Sequence, residues 1–539
     1  MSVGICVTTA LPYANGELHL GHILEQIQAD IWCRFQKLRG KRVLFVGGDD
    51  AHGTAIMLSA EKKKISPDAW IADVWQRHQA DIADFHVDMD IFYTTRSEEN
   101  RHLVEGIYQV LHGNQSLMTK DVEQSFDEEA QMFLPDRFIR GTCPKCGELD
   151  QYGDNCEVCG AHYLPTELKN PYSVLSNTSP VTKSSEHVFF RLSQKSKMLK
   201  HWLDNADLQS SVKNKLVEWL DAGLQDWDIS RDAPYFGFQI PGYSDKYFYV
   251  WMDAPVGYMA AVSRYDVLNQ TNYLRDIFDV GSDWDLVHFI GKDLVNFHGV
   301  FWPTVLTSAG YRAPSSLHVH GFITINGEKM SKSKGTFVTA RDYLNALSPE
   351  YLRYYFACKL SDSVVDIDLN WEDFVARCNA DLVGKIINIG SRCASFVHKY
   401  FSSQLAGRLD GLDLYHKFLE KGDAIAEMYA QKKYNCVVRE VIHLADLANQ
   451  YVDSKKPWQM AKSPELLPEV SEVCTTALHL FWVISVYVAP IVPEMSKKMQ
   501  QIFSHKATHW DDAKRLFLKQ PLGAFPRILE RLSVDMCPA

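Results

Sequence analysis

Apolar and polar positions fall into blocks along this chain, and the blocks change period in a telling order. Ile5 to Leu11 is a short run rich in Val, Ile and Thr, Asn15-Gly16 is a turn signal, and Leu20 to Arg39 repeats its apolar residues at helical spacing. A second apolar run, VLFVGG at 43 to 48, follows and leads into Asp49-Asp50. Strand, turn, helix and strand predict a βαβ unit with parallel strands. Further β-like runs occur at HFIGKDLVNFH (288 to 298), which ends around Gly291 and Asp293, and at LHVHGFITI (317 to 325). From Trp371 onward the character changes. Leu382, Ile386, Ile389, Cys393, Phe396 and Tyr400 recur at spacings of three and four, which predicts an amphipathic helix opening a helical bundle. The most apolar stretch, ALHLFWVISVYVAPIVP at 477 to 493, reads as a buried helix rather than a membrane span.

At 539 residues the chain is too long for one core, so several folding units are expected. Composition is that of a soluble globular protein, with no basic leader at the start and no low-complexity tract. Eight of the twelve cysteines are scattered singly, a pattern of reduced thiols that predicts a cytoplasmic protein and no membrane partner. The net charge of -11 argues against broad attraction to nucleic acid, yet residues 381 to 460 carry eleven Lys/Arg against nine Asp/Glu. A small RNA surface fits there.

Ligands of parallel sheets bind at the carboxyl ends of the strands, which is where the turn before Leu20 and Asp50 would lie. That turn reads His19-Leu20-Gly21-His22. Free N–H groups at a helix start favour phosphate, imidazoles there can donate to phosphate oxygens, and Gly21 would leave room for a purine; the histidines could equally be capping or packing residues. Residues 326 to 336, NGEKMSKSKGT, form a glycine-bounded loop whose lysines suit a clamp on a triphosphate; a solvated surface loop is the plain alternative. Gly291 and Asp293, at a strand end, suit the hydroxyls of a ribose. Cys143-x-x-Cys146 and Cys156-x-x-Cys159, nine residues apart, have the spacing of a zinc knuckle (about 141 to 162), with disulfide pairs as the alternative. Four thiolates leave no open position, so one zinc there would be structural.

His19, Leu20, Gly21 and His22 together with Lys329, Met330, Ser331, Lys332 and Ser333 resemble the two signatures of class I aminoacyl-tRNA synthetases; Leu20 stands where Ile is common. ALPYANG, GDDAHGT, YVWMDAPVGYM and FHGVFWP resemble the methionyl-tRNA synthetases, and the similarity runs through essentially the whole chain. The resemblance implies an α/β fold, a Rossmann-type parallel-sheet catalytic domain split by a zinc-containing insertion and followed by an α-helical anticodon-binding bundle. The implied divisions are 1–115 and 231–325 for the two catalytic halves, 116–230 for the insertion, 326–385 for the KMSKS loop and stem-contact region, and 386–539 for the bundle.

The implied activity is methionine–tRNA ligation, with ATP and its Mg2+ as co-substrate and tRNA(Met), initiator tRNA included, as acceptor. His19, His22, Lys329, Lys332 and Arg231 would be catalytic, and Gly21, Gly291, Asp293, Lys329, Ser331, Lys332 and Ser333 would hold ATP. Methionine would lie among Ala10, Leu11, Tyr13, Trp251, Ala254, Pro255, Tyr258, Leu294 (where Ile is common) and His298, with Asp50 on its ammonium. Aromatic walls give a thioether favourable contacts, and a buried carboxylate needs a cation. Asn388, Arg392 and Trp458 match residues that read the CAU anticodon. The chain stops without the C-terminal dimerising domain of some relatives, so a monomer is expected. A sibling synthetase for another apolar amino acid would share the nucleotide motifs and differ in the pocket. A noncatalytic RNA-binding relative would keep the fold without activity.

Overall fold

A computed structural model describes the chain except residues 1–2, 136–137, 154–155, 157, 162, 164, 331–336, 539 and the side chain of Lys329. Its centre is a six-stranded sheet built from β1 (Ile5–Thr9), β2 (Val43–Asp49), β3 (Ile91–Thr94), β4 (Asp207–Leu208), β5 (Asp285–Gly291) and β6 (Ser316–His320). The strands are all parallel, in the order β4-β6-β5-β1-β2-β3. Both faces of β1 are covered, with Ile5 and Val7 in one core and Cys6 in the other, which is why its sequence is a continuous β-prone run rather than an alternating one. Strand order reverses between β1 and β5, and the gap above their carboxyl ends is the ligand crevice of such sheets.

Helix α1 (Leu20–Leu38) lies against β1 and β5 and buries Leu20, Ile23, Leu24, Ile27 and Ile31. The apolar run begun at Val43 extends one residue past Gly48 to Asp49, so Asp50 sits just beyond the strand. Helix α2 (Val256–Asn269) covers the other face beside β2 and β3.

The insertion carries a long antiparallel pair, Leu117–Asp127 with Val181–Phe190, and a smaller three-stranded sheet next to the cysteines. Within the expected 116–230, Asp207–Leu208 pairs with Ser316–Leu317 as the edge of the central sheet, and Trp227–Asp228 then pairs back onto Phe189–Phe190 of the insertion's long antiparallel pair. A two-residue strand has no hydrophobic period, which is why the sequence conceals it.

Beyond β6 the chain runs through α3 (Pro349–Lys359) into a bundle whose principal helices are α4 (Asn388–Tyr400), α5 (Tyr434–Lys455) and α6 (Leu467–Val488). The helix expected from Trp371 is present but not uniform. Trp371–Arg377 is α-helical, Cys378–Ile387 adopts the wider π-helical turn, and α4 continues from it. Residues 477–488 of the apolar stretch form the second half of α6, which begins at Leu467, and 489–493 follow its end. Pro464–Val488 is long and apolar enough to cross a membrane, but 89% of its most apolar window is buried within the protein.

One continuous core joins the α1 face of the sheet to the bundle, through Phe35, Tyr351, Tyr429 and Tyr434 among others. Arg353 on α3, fully buried, pins this junction. It donates to Asp30 on α1 at 2.5 Å and to the carbonyls of Phe85, His86, Pro490 and Ile491. The many carbonyl acceptors compensate for taking a guanidinium out of water.

Candidate active site

His19 is the N-cap of α1, and the two imidazoles perform the capping. The Gly21 N–H donates to His19 Nδ1 at 3.0 Å and the His19 N–H to His22 Nδ1 at 3.3 Å. With each Nδ1 an acceptor, each neutral ring carries its proton on Nε2. The rings stack at 3.7 Å between centroids. Burial, then the neighbouring His19, holds His22 well below the usual imidazole range, so it stays an uncharged donor. The cap uses Nδ1 of each ring, so capping and phosphate donation through Nε2 are compatible rather than alternatives.

A Cβ on Gly21 would lie 2.9 Å from the His19 ring and 3.3 Å from Met330 Cε, so the folded-back imidazole and Met330 already require glycine there. That contact also brings the two signatures together. Leu20 N–H donates to Val338 O, Ala340 N–H to Leu18 O, and Phe337 meets His19 edge-on at 5.5 Å. The backbone of Lys329 pairs with Thr324 in a short hairpin. Ser331, Lys332 and Ser333 lie outside the described residues, as does the Lys329 side chain.

A cavity of about 770 Å³ opens beneath the imidazoles, and its wall includes Ala10, Leu11, Tyr13, Asp50, Trp251, Ala254, Pro255, Tyr258, Leu294 and His298. The structure thus collects every residue that the sequence assigned to the methionine pocket. Trp251 stacks on Phe297 at 3.8 Å and 7°, and Phe297–Phe301 is a π-helical turn that rotates Phe297 and His298 relative to a regular helix. His298 Nδ1–H donates to Leu294 O at 3.2 Å, leaving Nε2 to accept the Tyr258 hydroxyl at 2.8 Å. Burial holds His298 down at about 4, so the pair is a neutral, polarizable end to an apolar slot.

Asp50 is the charged group of this wall. It is 7% exposed, its Oδ1 has no hydrogen-bond partner, and burial, then Asp253, pushes its carboxyl well above the ordinary range. Nearby His52 pairs with Asp253 at 2.5 Å, so the other local carboxylate is already engaged on one oxygen. A buried carboxylate beside a cavity, with one oxygen left unpaired, is suited to receive a cation.

On the opposite side lie Gly291 and Asp293, with His19, Gly21 and His22 above them. A Cβ on Gly291 would meet the Asp293 carboxylate at 2.7 Å, which explains that glycine. Arg231 also reaches the cavity, held over the Tyr249 ring at 3.6 Å and 3.4 Å from Asp228. Sequence reasoning missed Glu25 and His320. Glu25 accepts from the Ala10 N–H at 2.6 Å and contacts His320 Nε2 at 3.2 Å, and both line the cavity. A carboxylate three positions after His22, on the buried face of a helix, was the available signal.

Away from the cavity, the four cysteine sulfurs lie within 4.8 Å of one another, with Cys143–Cys159 at 3.9 Å and Cys146–Cys156 at 3.5 Å. Those separations are too long for disulfides and suit four thiolates around one ion. Backbone N–H groups of Cys146 and Cys159 donate to the sulfurs of Cys143 and Cys156 at 3.4 Å. The cluster can hold a metal ion. In the bundle, Asn388, Arg392 and Trp458 come together: Arg392 lies 4.7 Å above the Trp458 ring and 2.9 Å from Asp453, while Asn388 donates to Asn449 at 3.2 Å. Both Asn449 and Asp453 belong to α5, which thus holds Asn388 and Arg392.

A parallel sheet reversing order above its β1/β5 gap, with an imidazole-capped helix there and a methionine-bearing segment folded onto the cap, defines the catalytic fold of class I aminoacyl-tRNA synthetases. The family model described as tRNA synthetases class I (M) matches residues 5–394, and that of the anticodon binding domain of methionyl tRNA ligase matches 413–525. The methionine–tRNA ligase of Thiobacillus denitrificans is 50% identical over 533 residues, 99% of this chain and 77% of that protein. That of Vesicomyosocius okutanii is 49% identical over 532 residues, 98% of this chain and 97% of that protein. The chain belongs to the methionyl-tRNA synthetase family. Among solved structures, Mycobacterium tuberculosis methionyl-tRNA synthetase in complex with methionyl-adenylate superposes with a TM-score of 0.80 at 23% identity, covering 98% of each chain; the apo form gives 0.72 at 21%. These share the fold.

Proposed function

We propose that this chain activates L-methionine with ATP and transfers it to the 3' end of tRNA(Met), initiator and elongator alike. The observation that carries the reading is one cavity lined by the buried Asp50 carboxylate, whose Oδ1 is unpaired, by an aromatic-walled apolar slot and by the two imidazoles. The substrate ammonium would neutralise Asp50, and the thioether would run between Trp251, Pro255 and Tyr258. The substrate carboxylate oxygen attacks the α-phosphorus; that P–O bond forms as the bond to the pyrophosphate oxygen breaks, and pyrophosphate departs with its Mg2+. Nε2–H groups of His19 and His22 stabilise the charge developing on the phosphates, with Arg231, Lys329 and Lys332 as further cations. A terminal ribose hydroxyl then attacks the activated carbonyl, and AMP leaves.

Zinc is our reading of the metal at Cys143, Cys146, Cys156 and Cys159; when bound it cross-links the insertion and supplies no reactive position. Asn388, Arg392 and Trp458 are read as anticodon contacts, since stacking and base-edge hydrogen bonds are how unpaired bases are recognised. We read the protein as a cytoplasmic monomer; all its cysteines are free thiols, as in a reducing compartment. The test is ATP/pyrophosphate exchange over the twenty amino acids and homocysteine, followed by tRNA charging. Exchange dependent on methionine, well above the others, is expected; preference for another amino acid, or none, would reject the reading.

A further inference from the structure

The helix Pro67–Asp84 carries none of the residues assigned above, yet it grips both segments that carry the signatures. Its apolar residues Ile71 and Val74 form a small separate cluster with Ala14 and Ala51, against which Tyr13 and Trp70 pack. Trp70 Nε1–H donates to Ala14 O at 3.0 Å. Two turns on, His78, 1% exposed, spans two partners: Nδ1 meets Asp49 Oδ1 at 2.7 Å and Nε2 meets Gly16 O at 2.8 Å. A carbonyl only accepts, so Nε2 carries a proton, and the Asp49 carboxylate fixes the ring on its other side. One turn further, Asp81 and Asp84 take Arg341, in the first turn of the helix that follows the second signature.

We propose that His78 is a positioning residue for the adenylation step: by tying Gly16 to Asp49 it fixes the distance between the ammonium receptor, Asp50, and the phosphate donors, His19 and His22. Asp49 is the last residue of β2 and precedes Asp50; Gly16 precedes His19 by three positions, and the loop is held to Asp50 at its other end by backbone hydrogen bonds through Pro12 and Ala14. Without the second tether at Gly16, the part of the loop leading to His19 could shift relative to the strand, and a shift of about an ångström at reacting groups costs on the order of a hundredfold in rate. The inference rests on the proposed function.

The experiment compares His78→Phe, His78→Gln, Asp49→Asn and wild type in ATP/pyrophosphate exchange, with methionine affinity read separately from tryptophan fluorescence. His78→Phe should lower kcat at least tenfold while methionine affinity stays within twofold, because Asp50 remains on its strand end. Glutamine, which restores one donor, should recover part of the loss, and Asp49→Asn should reproduce it in a protein of wild-type melting temperature. An unchanged kcat in His78→Phe and Asp49→Asn, or parallel losses of kcat and methionine affinity in both, would overturn the proposal. Absence of methionine-dependent exchange in the wild-type protein would instead overturn the reading on which it rests.

Discussion

Replacing Asp50 by Asn should do two opposite things. The carboxylate is buried, its Oδ1 bonds to nothing, and burial followed by Asp253 pushes its pKa well up. In the free protein this is an uncompensated cost, of the kind put at about 1–3 kcal/mol for a buried unsatisfied group. A neutral amide of the same shape relieves part of it, so the variant should melt no lower than wild type and about 2–4 °C higher per kcal/mol recovered in a domain of this kind. Methionine binding should suffer in the other direction. Truncating one member of a buried charge pair costs about 2–5 kcal/mol, or roughly 30- to 4,000-fold in kcat/KM for methionine. Calorimetric melting and exchange kinetics read the two effects separately. Methionine affinity should also weaken as pH falls through the raised Asp50 value, since the ammonium binds the charged carboxylate, and that dependence should vanish in Asp50→Asn. A variant that melts clearly lower than wild type, or binds methionine as well, would refute the argument.

Other expectations follow from the same geometry. Trp458→Ala should impair tRNA charging at least tenfold and leave methionine-dependent exchange within twofold, as a stacking surface 37% exposed and far from the cavity predicts. Cys159→Ala should reduce zinc content measured by atomic absorption from one ion per chain toward zero and lower the melting temperature, because the small insertion core of Leu134, Phe138, Ile139 and Leu168 is too small to hold the adjoining strands alone. Arg353→Met should cost about 1–3 kcal/mol in denaturant unfolding, since it removes one of the two guanidinium partners of the buried Asp30 and leaves Arg34. Burial raises Asp30, but Arg34 and Arg353 outweigh it and hold the carboxyl below its ordinary range. That stability is present above about pH 4 and lost as pH falls through the lowered value, so the acid dependence of unfolding should shrink in the variant.

Much of this was legible before any coordinates. The run Ile5 to Leu11, the turn at Asn15-Gly16 and the helical period from Leu20 follow from burial on one face or two, and local pattern encodes that. The residues around the cavity were legible only through resemblance: nothing in the period of YVWMDAPVGYM tells Trp251 from a core residue. What stayed hidden depends on long-range packing. Asp207–Leu208 becomes a strand only because Ser316 and Leu317 lie beside it, the π turns at 297–301 and 378–387 keep the apolar spacing of ordinary helices, and Gly21 is explained by a ring that folds back onto it. Nothing local in the sequence marks His78, since both of its partners, Asp49 and Gly16, are distant along the chain.

The core that runs unbroken from the sheet into the bundle makes the molecule a stiff lever rather than two bodies on a hinge. A bundle that swung freely would have to shear Phe35 from Tyr429 and pull Arg353 either from Asp30, Phe85 and His86 on the sheet side or from Pro490 and Ile491 on the bundle side. Force applied near Trp458 therefore has no slack to take up, and reaches the foot of α1 as elastic strain across packed side chains. At the other end of α1 stand the two imidazoles.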